Sequence, residues 1–200
     1  MKNLFILVAL VLLCACDKAK DCPEVLKGKS QSYLLTNEET ATVKSLFESN
    51  NLKFDNLQCY RLVNDFIYAV TCHQYVNNLR IFSSDVQFVF DKNRKFSFLS
   101  GDTISQINTN SNPSMNVSEL RTIFLQKINS DTELDFGKGD IAKDCLVCEL
   151  GYYDMNTGTN NLNPDFELAW LVKPSGSNDP HAIISDSQKS LVTYFNGIYY

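Results

Sequence analysis

Seven cysteines and two histidines are the residues of this 200-residue chain with the most chemical potential. Cys145-Leu146-Val147-Cys148 has C-x-x-C spacing. A dithiol enzyme places that spacing at a helix N-terminus, which lowers the first thiol's pKa. Here it runs into an apolar stretch that predicts a strand, with no βαβ context. Zinc would need two further S or N ligands at suitable spacing. The two cysteines therefore read as structural. On an extended strand, residues three apart face opposite ways about 10 Å from each other, so these two do not bridge unless the chain turns there. Cys59 and Cys72 lie almost equidistant from Asp65-Phe66, on neighbouring strands of one predicted hairpin, and are expected to form a cross-strand disulfide. Cys22 remains to pair with either Cys145 or Cys148.

His73 could serve as a base or a ligand, but no carboxylate or nucleophile stands at a recognisable spacing from it. It reads as a surface or half-buried strand histidine, and His181 is remote in sequence. Asp154–Asn160 has the acidic and polar character of a calcium loop. It fails at the sixth position, where glycine is required and Thr159 stands, so it predicts a polar hairpin loop. Asp135-Phe136-Gly137 has no other kinase element around it. Trp170, with apolar flanks, reads as core. No catalytic residue, metal or cofactor is expected.

The N-terminus carries the clearest address. Leu4–Leu13 is an unbroken apolar run of signal-peptide length, too short to span a bilayer. Leu13-Cys14-Ala15-Cys16 then resembles a bacterial lipobox, with Leu13 at −3, Ala15 at −1 and Cys16 as the modified cysteine. The resemblance implies cleavage after Ala15 and acylation at Cys16, giving a membrane anchor of two or three chains. Roughly 185 residues would remain, enough for one domain or two small ones. An exported location permits disulfides. The formal charge of −5 argues against nucleic acid as a partner.

The rest of the chain divides by pattern. Residues 1–15 are the signal peptide and 16–35 a lipidated tether with mixed charges and no period. Thr36-Asn37-Glu38-Glu39 has capping-box form, and Val43, Leu46 and Phe47 mark one face of a helix. Strands are predicted over Leu57–Val63, Phe66–Val76, Ile81–Asp91 and Lys95–Leu99. Residues 36–102 thus form a first helix-plus-sheet module, and 103–115, rich in Asn, Ser and Thr, a linker. Residues 116–200 repeat the order. A helix starts at Asn116 with an apolar stripe of Val117, Leu120, Ile123, Phe124 and Ile128, followed by strands over Leu146–Asp154, Phe166–Lys173, Ala182–Ser185 and Leu191–Phe195. The expected fold is α+β, two small modules, each one helix packed on its own antiparallel sheet.

Ala69–Val86, with Gln74, Ile81, Phe82 and Val86 in place, resembles the first propeptide module of thermolysin-like and fungalysin-like metallopeptidases. Asp91–Lys95 and Ser100-Gly101 stand where that family places a hairpin and a closing glycine. Ala169-Trp170-Leu171-Val172 and Ile183–Val192 resemble the PepSY module that follows it, with its Ala-Trp strand and Asp-containing final hairpin. The family's turn glycines are replaced by Asn78 and Arg94, its Pro by Arg80 and a following Gly by Ser83. The glycine of the final hairpin is absent. These 200 residues contain no His-Glu-x-x-His helix. The resemblance implies a propeptide-like unit on a lipid anchor that binds, inhibits or chaperones a peptidase in trans. A structural or surface lipoprotein binding glycan, cell wall or other lipoproteins is the competing expectation.

Overall fold

In a computed structural model, residues 35–134, 138–160 and 163–198 are described. The signal peptide, Cys16 and Cys22 lie outside them. The predicted elements form nearly where the pattern places them. Helix α1 (Asn37–Ser49) is capped by Thr36, whose side chain and Glu39 exchange hydrogen bonds with each other's backbone N–H. Strands β1 (Leu57–Asn64), β2 (Tyr68–Val76), β3 (Leu79–Phe90) and β4 (Phe96–Ser100) follow. Helix α2 (Val117–Ser130) carries a second capping box, Asn116 with Glu119. A one-turn helix α3 (Lys138–Ile141) precedes β5 (Leu146–Asp154), β6 (Phe166–Pro174), β7 (His181–Ser185) and β8 (Ser190–Phe195).

The architecture is α+β, but the strands form one sheet and not the two small sheets expected. The order is β1-β2-β3-β5-β6-β7-β8, with β4 also paired to β3. Neighbours are antiparallel except β3 and β5, which run parallel with Arg80 opposite Gly151 and Ile81 opposite Tyr152. The reason lies in one missing side chain. A Cβ at Gly151 would stand 2.4 Å from the Arg80 carbonyl oxygen and 2.5 Å from the Phe82 ring. Only glycine lets the two strands approach so closely.

Both helices cover the same face of this sheet. Val43, Leu46 and Phe47 of α1 pack on Val70, Cys72, Val86, Phe88 and Phe90. Leu120, Phe124 and Ile128 of α2 pack on Ile81 and on the core-facing residues of β5, β6 and β7, Trp170 among them. The predicted linker is part of this layer, with Ile107 and Met115 buried in the second cluster. Two buried polar side chains hold it there. The Gln74 carboxamide donates to the Asp102 carbonyl at 2.8 Å and accepts from the Ile104 N–H at 2.9 Å. The Asp186 carboxylate accepts from Trp170 Nε1 at 2.8 Å and from the N–H groups of Ser114 and Met115 at 2.7 and 3.0 Å.

Cys59 and Cys72 stand in register and form the expected disulfide. Closing a loop of this length contributes about 2–3 kcal/mol. The turns keep left-handed backbones without glycine, at Asn77 and Asn78 (φ 53° and 63°), Arg94 (62°) and Lys189 (50°). Asn77-Asn78 makes a two-residue hairpin turn, for which asparagine is well suited.

Two substitutions test these joints. Gly151→Ala is expected to cost about 3 kcal/mol by overpacking the β3–β5 seam, read as a lower urea midpoint. Asp186→Ala leaves the buried Trp170 and Met115 donors and the part-buried Ser114 N–H without this acceptor and is expected to cost about 3 kcal/mol. Burial raises the Asp186 carboxyl, but the hydrogen bonds from Trp170, Ser114 and Met115 prevail and hold it below its ordinary value. Its contribution is therefore present above pH 3.8, the unfolded value, and is lost as the pH falls through the lower folded value. Stability curves of wild type and Asp186→Ala should converge in acid.

Candidate functional site

Strand residues that alternate with the core positions face the side of the sheet that α1 and α2 leave open. Continuity of the sheet across the β3–β5 seam joins both halves of that face into one concavity of about 520 Å³. Tyr60, His73, Arg80 and Asp85 line it from the first half. Tyr153, Leu171, Lys173, His181 and Ile183 line it from the second, and Phe82 sits over Gly151 between them.

The two histidines, 108 positions apart in sequence (181 minus 73), thus line one cavity. Each pairs through Nδ1 with an aspartate, His73 with Asp85 Oδ1 at 2.7 Å and His181 with Asp179 Oδ1 at 2.8 Å. His73 is buried, not at the surface, and the Tyr60 ring stacks on it at 4.0 Å between centroids. The Tyr60 hydroxyl donates to Asp85 Oδ2 at 2.8 Å, so both oxygens of that carboxylate are engaged. Asp85 was not visible as a partner in the sequence because the β2–β3 register slips between His73 and Tyr75. Counting outward from the Asn77-Asn78 turn sets Phe82 opposite His73. The slip puts Asp85 there.

The electrostatics follow from burial. Desolvation lowers the His73 pKa below its usual value, against the opposing pull of Asp85. Burial also acts to raise Asp85, but the His73 and Tyr60 hydrogen bonds and the Arg80 charge outweigh it and hold the carboxyl low. Burial and the bond to Asp85 push Tyr60 up to about 12. At neutral pH the cluster is an ionised Asp85 accepting from a neutral imidazole and a phenol. Oriented this way, an imidazole could polarise a nucleophile. The described lining contains no serine or cysteine, and its one threonine, Thr193, is on β8, strands away from His73. Among the described residues there is no group of three or more His, Cys, Asp or Glu placed to hold a metal.

The other residues singled out in the sequence are dispersed. Cys148 is a free thiol in the core beneath α2, and burial pushes its pKa up to about 11. It is therefore not one of the bridged cysteines, because its strand position points it into the apolar layer. Cys145 is disulfide-bonded, to neither Cys148 nor the Cys59–Cys72 pair. The expected Cys22 partnership lies outside the described residues. Asp154 uses its Oδ1 to accept from the N–H groups of Asn156 and Asp165, at 3.0 and 2.8 Å, closing the polar loop. Trp170 is 1 % exposed and belongs to the core.

No protein-family model matches this chain, and no curated protein does.

The His73 environment is open to titration. Its folded pKa lies below 6.5, the ordinary imidazole value that the unfolded chain keeps. As pH falls through that unfolded value, the unfolded chain takes up a proton that the folded chain refuses, and stability drops. Asp85→Asn removes the groups that raise the imidazole pKa. Two-dimensional NMR of the imidazole should show half-protonation of His73 below pH 6.5 in wild type and at lower pH still in Asp85→Asn.

Proposed function

We propose that this chain is a lipid-anchored protein of the bacterial envelope, without chemistry of its own, that binds other proteins on the sheet face its helices leave open. The observation that carries the reading is the concavity. It spans both halves of the sheet, and its charged side chains are largely engaged with one another and not poised around a nucleophile. Aromatic rings flanked by such groups form a surface suited to recognition. Among the described residues β4 pairs with no strand other than β3, which leaves a strand edge that a partner could extend. By the resemblance to metallopeptidase propeptides, the partner is a peptidase, which the chain inhibits or assists in folding in trans.

A glycan-binding or cell-wall-binding surface lipoprotein is the second reading. Tyr60, Phe82 and Tyr153, which line the same concavity as Asn178, favour it, because rings together with an amide suit sugars. So does Phe66, 94 % exposed at the tip of the β1–β2 turn.

A photo-crosslinking residue at Tyr153 in the full chain, expressed in the envelope, should capture a peptidase, and the purified protein should inhibit secreted metallopeptidases. Capture of no protein, with peptidases uninhibited, would sink the first reading. Sedimentation with cell wall or a positive glycan array would then favour the second. Mass spectrometry of the mature protein should show an acylated N-terminal Cys16, and Cys16→Ser should move the protein to the soluble fraction.

A further inference from the structure

Arg80 lines the concavity without a hydrogen bond. Its side chain is 14 % exposed, and its Nε is enclosed with no partner. The nearest carboxylate oxygen, Asp85 Oδ1, stands 4.0 Å from Nη2. Asp85 is already held by His73 and Tyr60 at 2.7 and 2.8 Å. Glu149, on the same face of β5 two residues before Gly151, is 5 % exposed and also has an oxygen, Oε1, without a partner. Burial raises its carboxyl pKa, against the opposing charges of Arg80 and Lys173. The Phe82 ring, 5.7 Å from the guanidinium carbon, walls one side of Arg80. Lys173 adds a second cation to the lining, donating to Asn178 Oδ1 at 2.7 Å.

A mostly buried guanidinium is costly unless a charged acceptor completes its fork. Carboxylate is the acceptor whose planar geometry matches that fork. Resting on the protein-binding reading above, we infer that the concavity receives an acidic side chain of the partner protein, held by Arg80, with Lys173 attracting it into place. The floor formed by Leu171 and Ile183 lets the methylene stem of a glutamate be buried as its head reaches Arg80.

The test uses the full chain and a Ser/Gly peptide carrying three glutamates, with the matching glutamine peptide and oligogalacturonate as comparisons. Binding is followed by NMR shifts at millimolar ligand. The glutamate peptide should bind, shifting the resonances of Arg80, Phe82 and Leu171, and weaken as salt rises. The glutamine peptide and the Arg80→Gln variant should each lose about tenfold in affinity, with Arg80→Lys retaining part. Lys173→Ala should slow association more than it speeds release. If Arg80→Gln does not fold, Arg80→Lys and Lys173→Ala still decide, and unchanged affinity in both overturns the inference. Equal binding of the two peptides also overturns it. Binding of oligogalacturonate alone replaces the protein partner with an acidic glycan. If crosslinking captures a partner that Arg80→Gln retains, this inference fails while the protein-binding reading stands. If the glutamate peptide binds and no protein is captured, the reverse holds.

Discussion

The close passage of β3 over Gly151 is the constraint on which the remaining geometry depends. Two helix-and-strand units of similar element order could each have closed on themselves, as short amphipathic modules often do. They do not, because a glycine at the edge of the second unit allows the backbone of the first to pair with it. The parallel seam is short, yet it aligns both halves so that α1 and α2 lie on one face. The opposite face is then continuous, and the concavity exists only because it is. Phe82 occupies the space that a side chain at position 151 would fill.

The seam is reinforced on the helical side by polar anchors. Gln74 and Asp186 play parallel roles, each a strand or turn residue whose buried side chain takes hold of the segment joining the two units. Such anchors specify a path as well as stabilise it, since any other path would leave buried donors and acceptors unpaired. Asp186 also satisfies the Trp170 indole, so the largest core side chain and the connecting segment share one carboxylate. A segment that composition marks as a polar loop thereby becomes part of the core layer, contributing Ile107 and Met115.

On the open face, charge is arranged by pairing. Two imidazoles are each oriented by an aspartate, and one of those aspartates is further held by a tyrosine. Arg80 reaches these pairs only at 4.0 Å, through Asp85 Oδ1. Its enclosed Nε has no hydrogen-bond partner, in contrast to the engaged oxygens of Asp85.

Local features were legible in the sequence because local rules govern them. Capping boxes at Thr36 and Asn116, the period-two strands, the Cys59–Cys72 bridge and the core position of Trp170 all follow from neighbours within a few residues or one hairpin. The left-handed turns at Asn78, Arg94 and Lys189 were partly legible, since asparagine favours that backbone and arginine and lysine do not advertise it. The pairing of His73 with Asp85 was not, because an irregularity in register changes every partner beyond it. Sequence alone thus determined which segments are helix or strand and which faces are apolar. Only the tertiary structure decided that eight strands make one sheet and that His73, Arg80, Lys173 and His181 share one cavity. Those facts depend on how closely two backbones distant in the chain can approach, which no short-range pattern encodes.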